Sequence, residues 1–216
     1  MTGGINMKLY IMRHGETDWN KEKKLQGQSD IELNEFGRSL AYKTKEGLKD
    51  IPFDRVITSP LKRAKETAMI VMGDRQIPLI EDQRIAEMCF GEYEGMCCKG
   101  DRFNIPDKQF KNFFLAPQLY KAPESGESFL QFSERIHEFL HELYGKKEYE
   151  NETILISVHG AVLCAMLRDM KNNPLELFWG DGVHKNCGFT IVNVENGKVM
   201  IEQENVVYYD DEVETW

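Results

Sequence analysis

Two histidine constellations carry residue types that can do chemistry. Arg13-His14-Gly15 follows directly on Lys8 to Met12 (K-L-Y-I-M), an apolar run containing an aromatic and a β-branched residue. A buried strand ending there sets an imidazole at a strand terminus, in a loop whose glycine lets a second body approach the backbone. An imidazole can exchange a proton near neutral pH; the plainer reading is a loop histidine held by hydrogen bonds. The second constellation, His137-Glu138-Phe139-Leu140-His141, matches H-E-x-x-H, in which two histidines one helical turn apart bind zinc. Its host helix, Phe129 to about Tyr144, gathers Phe129, Phe132, Ile136, Phe139, Leu140 and Leu143 on one face. At about 100° per residue, His137 and His141 fall roughly 110° and 150° from the centre of that face, on the solvated side. No third ligand is in evidence, and no metal is assigned.

The elements that must position such residues are legible in outline. Asn34 can cap a helix in which Phe36, Leu40, Ala41, Thr44 and Leu48 recur at helical spacing, closed by Gly47 and Ile51-Pro52. Phe53 to Thr58 reads as a second strand. Ser59 as N-cap, with Pro60 at the first helical position, then starts a helix from Leu61 to about Met72. Asn151 to Val158 is another buried strand, running into His159-Gly160 and an apolar helix to about Met170. Phe189 to Val194 and Lys198 to Val207, joined by Glu195-Asn196-Gly197, read as an antiparallel hairpin on an Asn-Gly turn. Alternating strands and helices predict an α/β fold, a three-layer αβα sandwich. Its central sheet is mostly parallel, with helices on both faces and a C-terminal antiparallel hairpin. Ligand chemistry is expected beyond the strand C-termini.

Six ordered phrases then resemble the histidine phosphatase superfamily, which includes cofactor-dependent phosphoglycerate mutases and many small-ester phosphatases. They are R-H-G-E-T-x-W-N at 13–20, L-Q-G at 25–27, S-P-L-x-R-A-x-E-T at 59–67, E-M-C-F-G-E-Y-E-G at 87–95, G-E-S at 126–128 and S-V-H-G at 157–160. The resemblance implies a covalent phosphohistidine mechanism with His14 as nucleophile. A backbone carbonyl would fix its tautomer, and Arg13, Arg63 and His159 would surround the phosphoryl oxygens. Guanidinium forks suit phosphate geometry, and two of them disfavour protonation of His14. Taken alone, Arg63 reads as an exposed helix arginine paired with Glu66, and His159 as a core histidine. The family pattern favours Glu87 as the proton donor over its neighbours Glu92 and Glu94, and makes Glu94 structural. Thr17, Asn20, Gln26, Gly27 and Gly160 would complete the phosphate cradle, although Thr17 and Asn20 equally suit the cap of a short turn. Asp30-Ile31-Glu32-Leu33-Asn34 stands where the family has D-x-P-L-T, and Asn for Thr preserves a cap.

Bulk composition limits the partners. Across 216 residues, 27 Lys+Arg against 36 Asp+Glu give a net charge of −9, and no run of five basic residues offsets it. Nucleic acid is thus a poor ligand. No apolar run approaches the roughly 18–20 residues of a membrane span. The N-terminus lacks a secretory pattern, and Met1 or Met7 could be the start. Five cysteines (Cys89, Cys97, Cys98, Cys164, Cys187) with no C-x-x-C pair suggest free thiols in a reducing cytoplasm. Residues 1–216 read as a single domain, and the acidic run Asp210 to Glu214 as a solvated end. Within 88–125, Phe90, Tyr93, Phe103, Phe110, Phe113, Phe114 and Tyr120 form either a lid over the site or a packing element on the sheet. Glu87 and His159 are only 72 positions apart and no Arg-Arg pair lies between them. This favours a metal-independent, cofactor-free phosphomonoesterase for small phosphorylated metabolites over a phosphoglycerate mutase or a noncatalytic phosphate-binding module. The sequence leaves the oligomeric state open.

Overall fold

In β1 (Asn6–Arg13) the side-chain period of two is read on both faces: Met7, Leu9 and Ile11 enter one core, Tyr10 and Met12 the other. A strand buried on both sides must lie inside a sheet with helices on each face, and β1 does so in the computed structural model, which describes residues 6–213. Among these, β1 is joined by β2 (Arg55–Thr58), β3 (Leu79–Glu81), β4 (Thr153–Val158), β5 (Phe189–Glu195) and β6 (Lys198–Val206) in the order β3-β2-β4-β1-β5-β6. The first four strands run parallel; β5 is antiparallel to β1, and β6 to β5. Helices α1 (Asp18–Lys21), α2 (Glu35–Gly47), α3 (Lys62–Met72), α4 (Asn112–Leu115), α5 (Phe129–Gly145) and α6 (Gly160–Lys171) complete the regular elements. α2 and α3 cover one sheet face, and α5 and α6 the other. This is the expected three-layer αβα arrangement with its C-terminal hairpin.

Three local expectations need correction. β3 was not foreseen, because its three residues are exposed on the sheet edge and carry no burial pattern. Helix α3 begins at Lys62, and its cap position, Leu61, makes no side-chain bond. Of the donors at the helix start, Leu61 N–H goes to the expected Ser59 Oγ at 3.3 Å, while Lys62 N–H goes to Asp30 Oδ1 at 2.7 Å. Lastly, the C-terminal segment is not simply solvated. Tyr209 and Val213 are buried in the α2/α3 core, and Tyr209 Oη donates to the Asn186 carbonyl at 2.5 Å. Asp211 pairs with Lys43. Met1 and Glu214 lie outside the described residues.

The aromatic residues of 88–125 pack in earnest. Phe90, Phe110 and Phe113 are buried, and Phe113 stacks on Phe129 of α5 with ring centroids 5.3 Å apart. The five cysteines are free thiols, and burial pushes Cys98, Cys164 and Cys187 up to about 12. No helix among the described residues is long and apolar enough to cross a membrane.

Candidate active site

Three parallel strands deliver their C-terminal residues to one place. Arg13 ends β1 in register with Val158 of β4, and His14 N–H donates to the Val158 carbonyl at 2.9 Å. His159 follows on β4, and Ser59 follows β2 at the same sheet edge, its N–H on the Ser157 carbonyl at 3.0 Å. The polar groups gathered there are deeply enclosed: Arg13, His14, Ser59, Arg63 and His159 are all buried.

His14 Nδ1 lies 2.6 Å from the carbonyl of Gly15, which can only accept, so the proton sits on Nδ1 and Nε2 keeps its lone pair. Burial first, then the charges of Arg63 and Arg13, hold its pKa well below that of an ordinary histidine, so the ring is neutral at pH 7. The His14 loop is fixed by Gly15 N–H on Thr67 Oγ1 at 2.9 Å and by Asn186 Nδ2 on the His14 carbonyl at 3.0 Å. Gly15 itself is required, because a Cβ there would stand 2.7 Å from the carbonyl oxygen of Gly37.

Arg63 does not pair with Glu66, which is taken by Arg38. Its Nη1 donates to the Ser29 carbonyl at 2.8 Å and its Nη2 to the Gly27 carbonyl at 2.7 Å. Those carbonyls are presented by a turn with Gly27 at φ 49°, pinned by the carboxylate of Glu94, which accepts Gln28 N–H and Ser29 N–H at 2.9 and 2.8 Å. Glu94 is thus structural, and Glu92 turns away to the Ser125 hydroxyl. Arg13 donates to the carbonyl of His184. Burial lowers both arginines to about 10, which leaves them charged at neutral pH. Arg13 Nε, Arg63 Nε and His159 Nδ1 are buried without a partner in the protein. Burying unpaired guanidinium N–H groups is costly, and two together suit an anion.

Glu87 lies on the wall of this site. Its Oε1 accepts Met88 N–H at 2.9 Å and its Oε2 accepts Ala161 N–H, in the first turn of α6, at 3.2 Å. Burial raises its pKa above the ordinary carboxylate value against these bonds and the Arg63 charge. His159 bonds through Nε2 to Ser59 Oγ at 2.7 Å. The Ser59 hydroxyl thus serves both the start of α3, through Leu61 N–H, and a histidine.

Arg13, His14, Asn20, Gln26, Gly27, Arg63, Glu87 and Gly160 all line one cleft of about 520 Å³, counting its open mouth. Thr17 and His159 do not: His159 is fully buried, and the Thr17 hydroxyl and the Asn20 amide cap α1 reciprocally, so Thr17 orients Asn20. Beyond the polar floor the wall is apolar, with Leu25, Phe90, Phe113, Phe114, Trp179 and Val183. Part of 88–125 therefore both packs and shapes the cleft. His137, by contrast, is exposed and paired with Asp169 at 2.9 Å.

The family model of the histidine phosphatase superfamily (branch 1) matches residues 9–207, a span that holds every residue of this cluster. The chain belongs to the histidine phosphatase superfamily. It is 34% identical over 167 residues to the "Uncharacterized phosphatase PhoE" of Bacillus subtilis, covering 77% of this chain and 79% of that one. It is 31% identical to the "Adenosylcobalamin/alpha-ribazole phosphatase" of Escherichia coli, with 84% and 87% covered. The solved structure of Bacillus stearothermophilus YhfR superposes with a TM-score of 0.85 at 35% identity, over 94% of this chain and 98% of that chain. The Bacillus subtilis and Escherichia coli relatives are both phosphatases, and this chain is a phosphatase enzyme of the same superfamily.

The sequence reading passed over four side chains that hold the site of this phosphatase. Ser59 holds His159, 100 positions away, besides its bond at the start of α3. Thr67 closes a quoted phrase, but its bond to Gly15 spans 52 positions. Trp179 joins the wall from the loop after α6, its Nε1 on the Phe113 carbonyl at 2.7 Å. Arg135 sits at the border of the apolar stripe of α5, where a buried charge is out of place; that was the available signal.

Proposed function

We propose that this phosphatase is a metal-independent phosphomonoesterase for small phosphorylated metabolites, working through a phosphohistidine on His14 with Glu87 as general acid and base. One observation carries the reading: the Nδ1–H of a neutral His14 is held by the Gly15 carbonyl, which leaves Nε2 as a nucleophile beside two buried arginines. Nε2 attacks phosphorus in line, the phosphorus–oxygen ester bond breaks, and protonated Glu87 gives its proton to the departing alkoxide. The Glu87 carboxylate then takes a proton from water as the water oxygen attacks phosphorus and the phosphorus–nitrogen bond breaks. This returns neutral His14 and protonated Glu87. Arg13, Arg63 and His159 carry the charge on the phosphoryl oxygens. Asn20, Gln26, Gly27 and Gly160 complete the cradle. The apolar wall from 88–125 and Trp179 receives the alcohol, which is the lid role of that segment. Free, largely buried thiols are consistent with a cytoplasmic enzyme.

The test is a phosphoester panel in EDTA with wild type and His14→Ala. We expect activity that survives EDTA, falls by on the order of a thousandfold or more in the variant, and leaves an acid-labile phosphoenzyme in the wild type. Full activity in His14→Ala would refute the mechanism.

A further inference from the structure

Arg135 stands outside the cleft, yet its guanidinium is given over to the segment that carries Glu87. Nη1 donates to the carbonyls of Arg84 and Ala86, and Nη2 to the Glu87 carbonyl at 3.1 Å. The remaining edge forms a two-point pair with Glu127, Nε to Oε1 at 2.7 Å and Nη2 to Oε2 at 2.8 Å. Glu127 Oε2 in turn accepts Cys89 N–H at 3.2 Å. Residues on both sides of Glu87 are thus tied to one fork, seated on the Phe132 ring at 4.6 Å with only 18% of the side chain exposed. Glu87 lies in neither helix nor strand, so no regular ladder fixes its peptide groups. The five donors of a planar guanidinium can reach three carbonyls and a carboxylate at once; an ammonium cannot.

We propose that Arg135 is a positioning residue for the proton donor, setting the Glu87 carboxyl against the leaving-group oxygen. The proposal rests on Glu87 being that donor, and its signature is selective. Proton transfer needs the acid within about 2.6–3.2 Å of the departing oxygen, so a displaced Glu87 penalises esters of poor leaving groups. An ester that leaves as a stable phenolate is spared.

The experiment compares kcat/KM on glycerol 2-phosphate and on p-nitrophenyl phosphate for wild type, Arg135→Met, Arg135→Lys, Glu87→Gln and the Glu87→Gln/Arg135→Met double variant. We expect Arg135→Met to lose about a hundredfold on the alkyl ester and far less on the aryl ester. Arg135→Lys should be intermediate, and the double variant should show the same alkyl-to-aryl ratio as Glu87→Gln. Equal losses on both esters in Arg135→Met, with Glu87→Gln still discriminating, would overturn the positioning role alone. Equal losses in Glu87→Gln would overturn the donor reading and the proposal with it. If Arg135→Met does not fold, by its thermal midpoint, Arg135→Lys and Glu127→Gln are read by the same ratio and the same criteria.

Discussion

The imidazoles of His14 and His159 stand with ring centroids 5.2 Å apart because the two residues leave neighbouring parallel strands in register, Arg13 opposite Val158. They are 145 positions apart in the chain, yet sheet pairing sets them side by side, His14 lining the cleft and His159 fully buried. Their partners differ: His14 is held by a carbonyl of its own loop, and His159 by the Ser59 hydroxyl from a third strand end. Each ring thus has one nitrogen engaged and one left for chemistry.

Ser59→Ala tests the second of these arrangements. The buried Nε2 of His159 loses its partner, a loss of about 1–3 kcal/mol, and the ring is free to change tautomer. We expect that drop in denaturant unfolding together with a several-fold lower kcat/KM. Wild-type values for both would show the pair to be idle.

Gly27 is a backbone requirement of the cradle. At φ 49° an alanine is strained, and its Cβ would fall 2.1 Å from Glu94 Oε1. Because the Gly27 carbonyl receives Arg63 Nη2, Gly27→Ala should lower stability by about 1–3 kcal/mol and weaken inhibition by inorganic phosphate. Unchanged phosphate inhibition would remove Gly27 from the cradle.

Trp179 tests the division between cradle and wall. Trp179→Ala deletes apolar wall without touching a phosphate ligand, so KM for a bulky aryl ester should rise, by up to about tenfold, while inhibition by inorganic phosphate stays as in wild type. A parallel loss of phosphate affinity would show that the loop also shapes the floor.

Buried neutral histidines make the fold acid-sensitive. Burial lowers His184 from 6.5 to about 4, and His14 and His159 fall well below 6.5. Unfolded chain binds these protons first, so their contribution is intact above pH 6.5 and is withdrawn as pH falls. Each ring removes at most about 1.4 kcal/mol per pH unit. For His184 the loss levels off near pH 4. Glu87, raised by burial, has the opposite sign and is most favourable at low pH. We expect the thermal midpoint to drop between pH 7 and 5, and to drop less steeply in His184→Gln. A flat midpoint would mean that these rings are not held neutral.

By itself the sequence determined the frame and pointed to the residues of the candidate site. Apolar runs broken by glycine and proline set β1, β2, β4 and the hairpin, and helical spacing set α2, α5 and α6, because burial imposes periods that are local to the chain. The phrases around Arg13-His14, Arg63, Glu87 and His159 named the cluster, and the period of α5 put His137 and His141 in solvent. What only tertiary structure decided were partnerships spanning many residues. Ser59 gained a histidine beside its bond at the helix start, Arg63 turned from Glu66 to the carbonyls of Gly27 and Ser29, and Arg135 closed on Glu87 from 48 positions away. Hydrogen-bond choice among buried polar groups depends on which donors and acceptors folding brings within about 3 Å, and no local period records it.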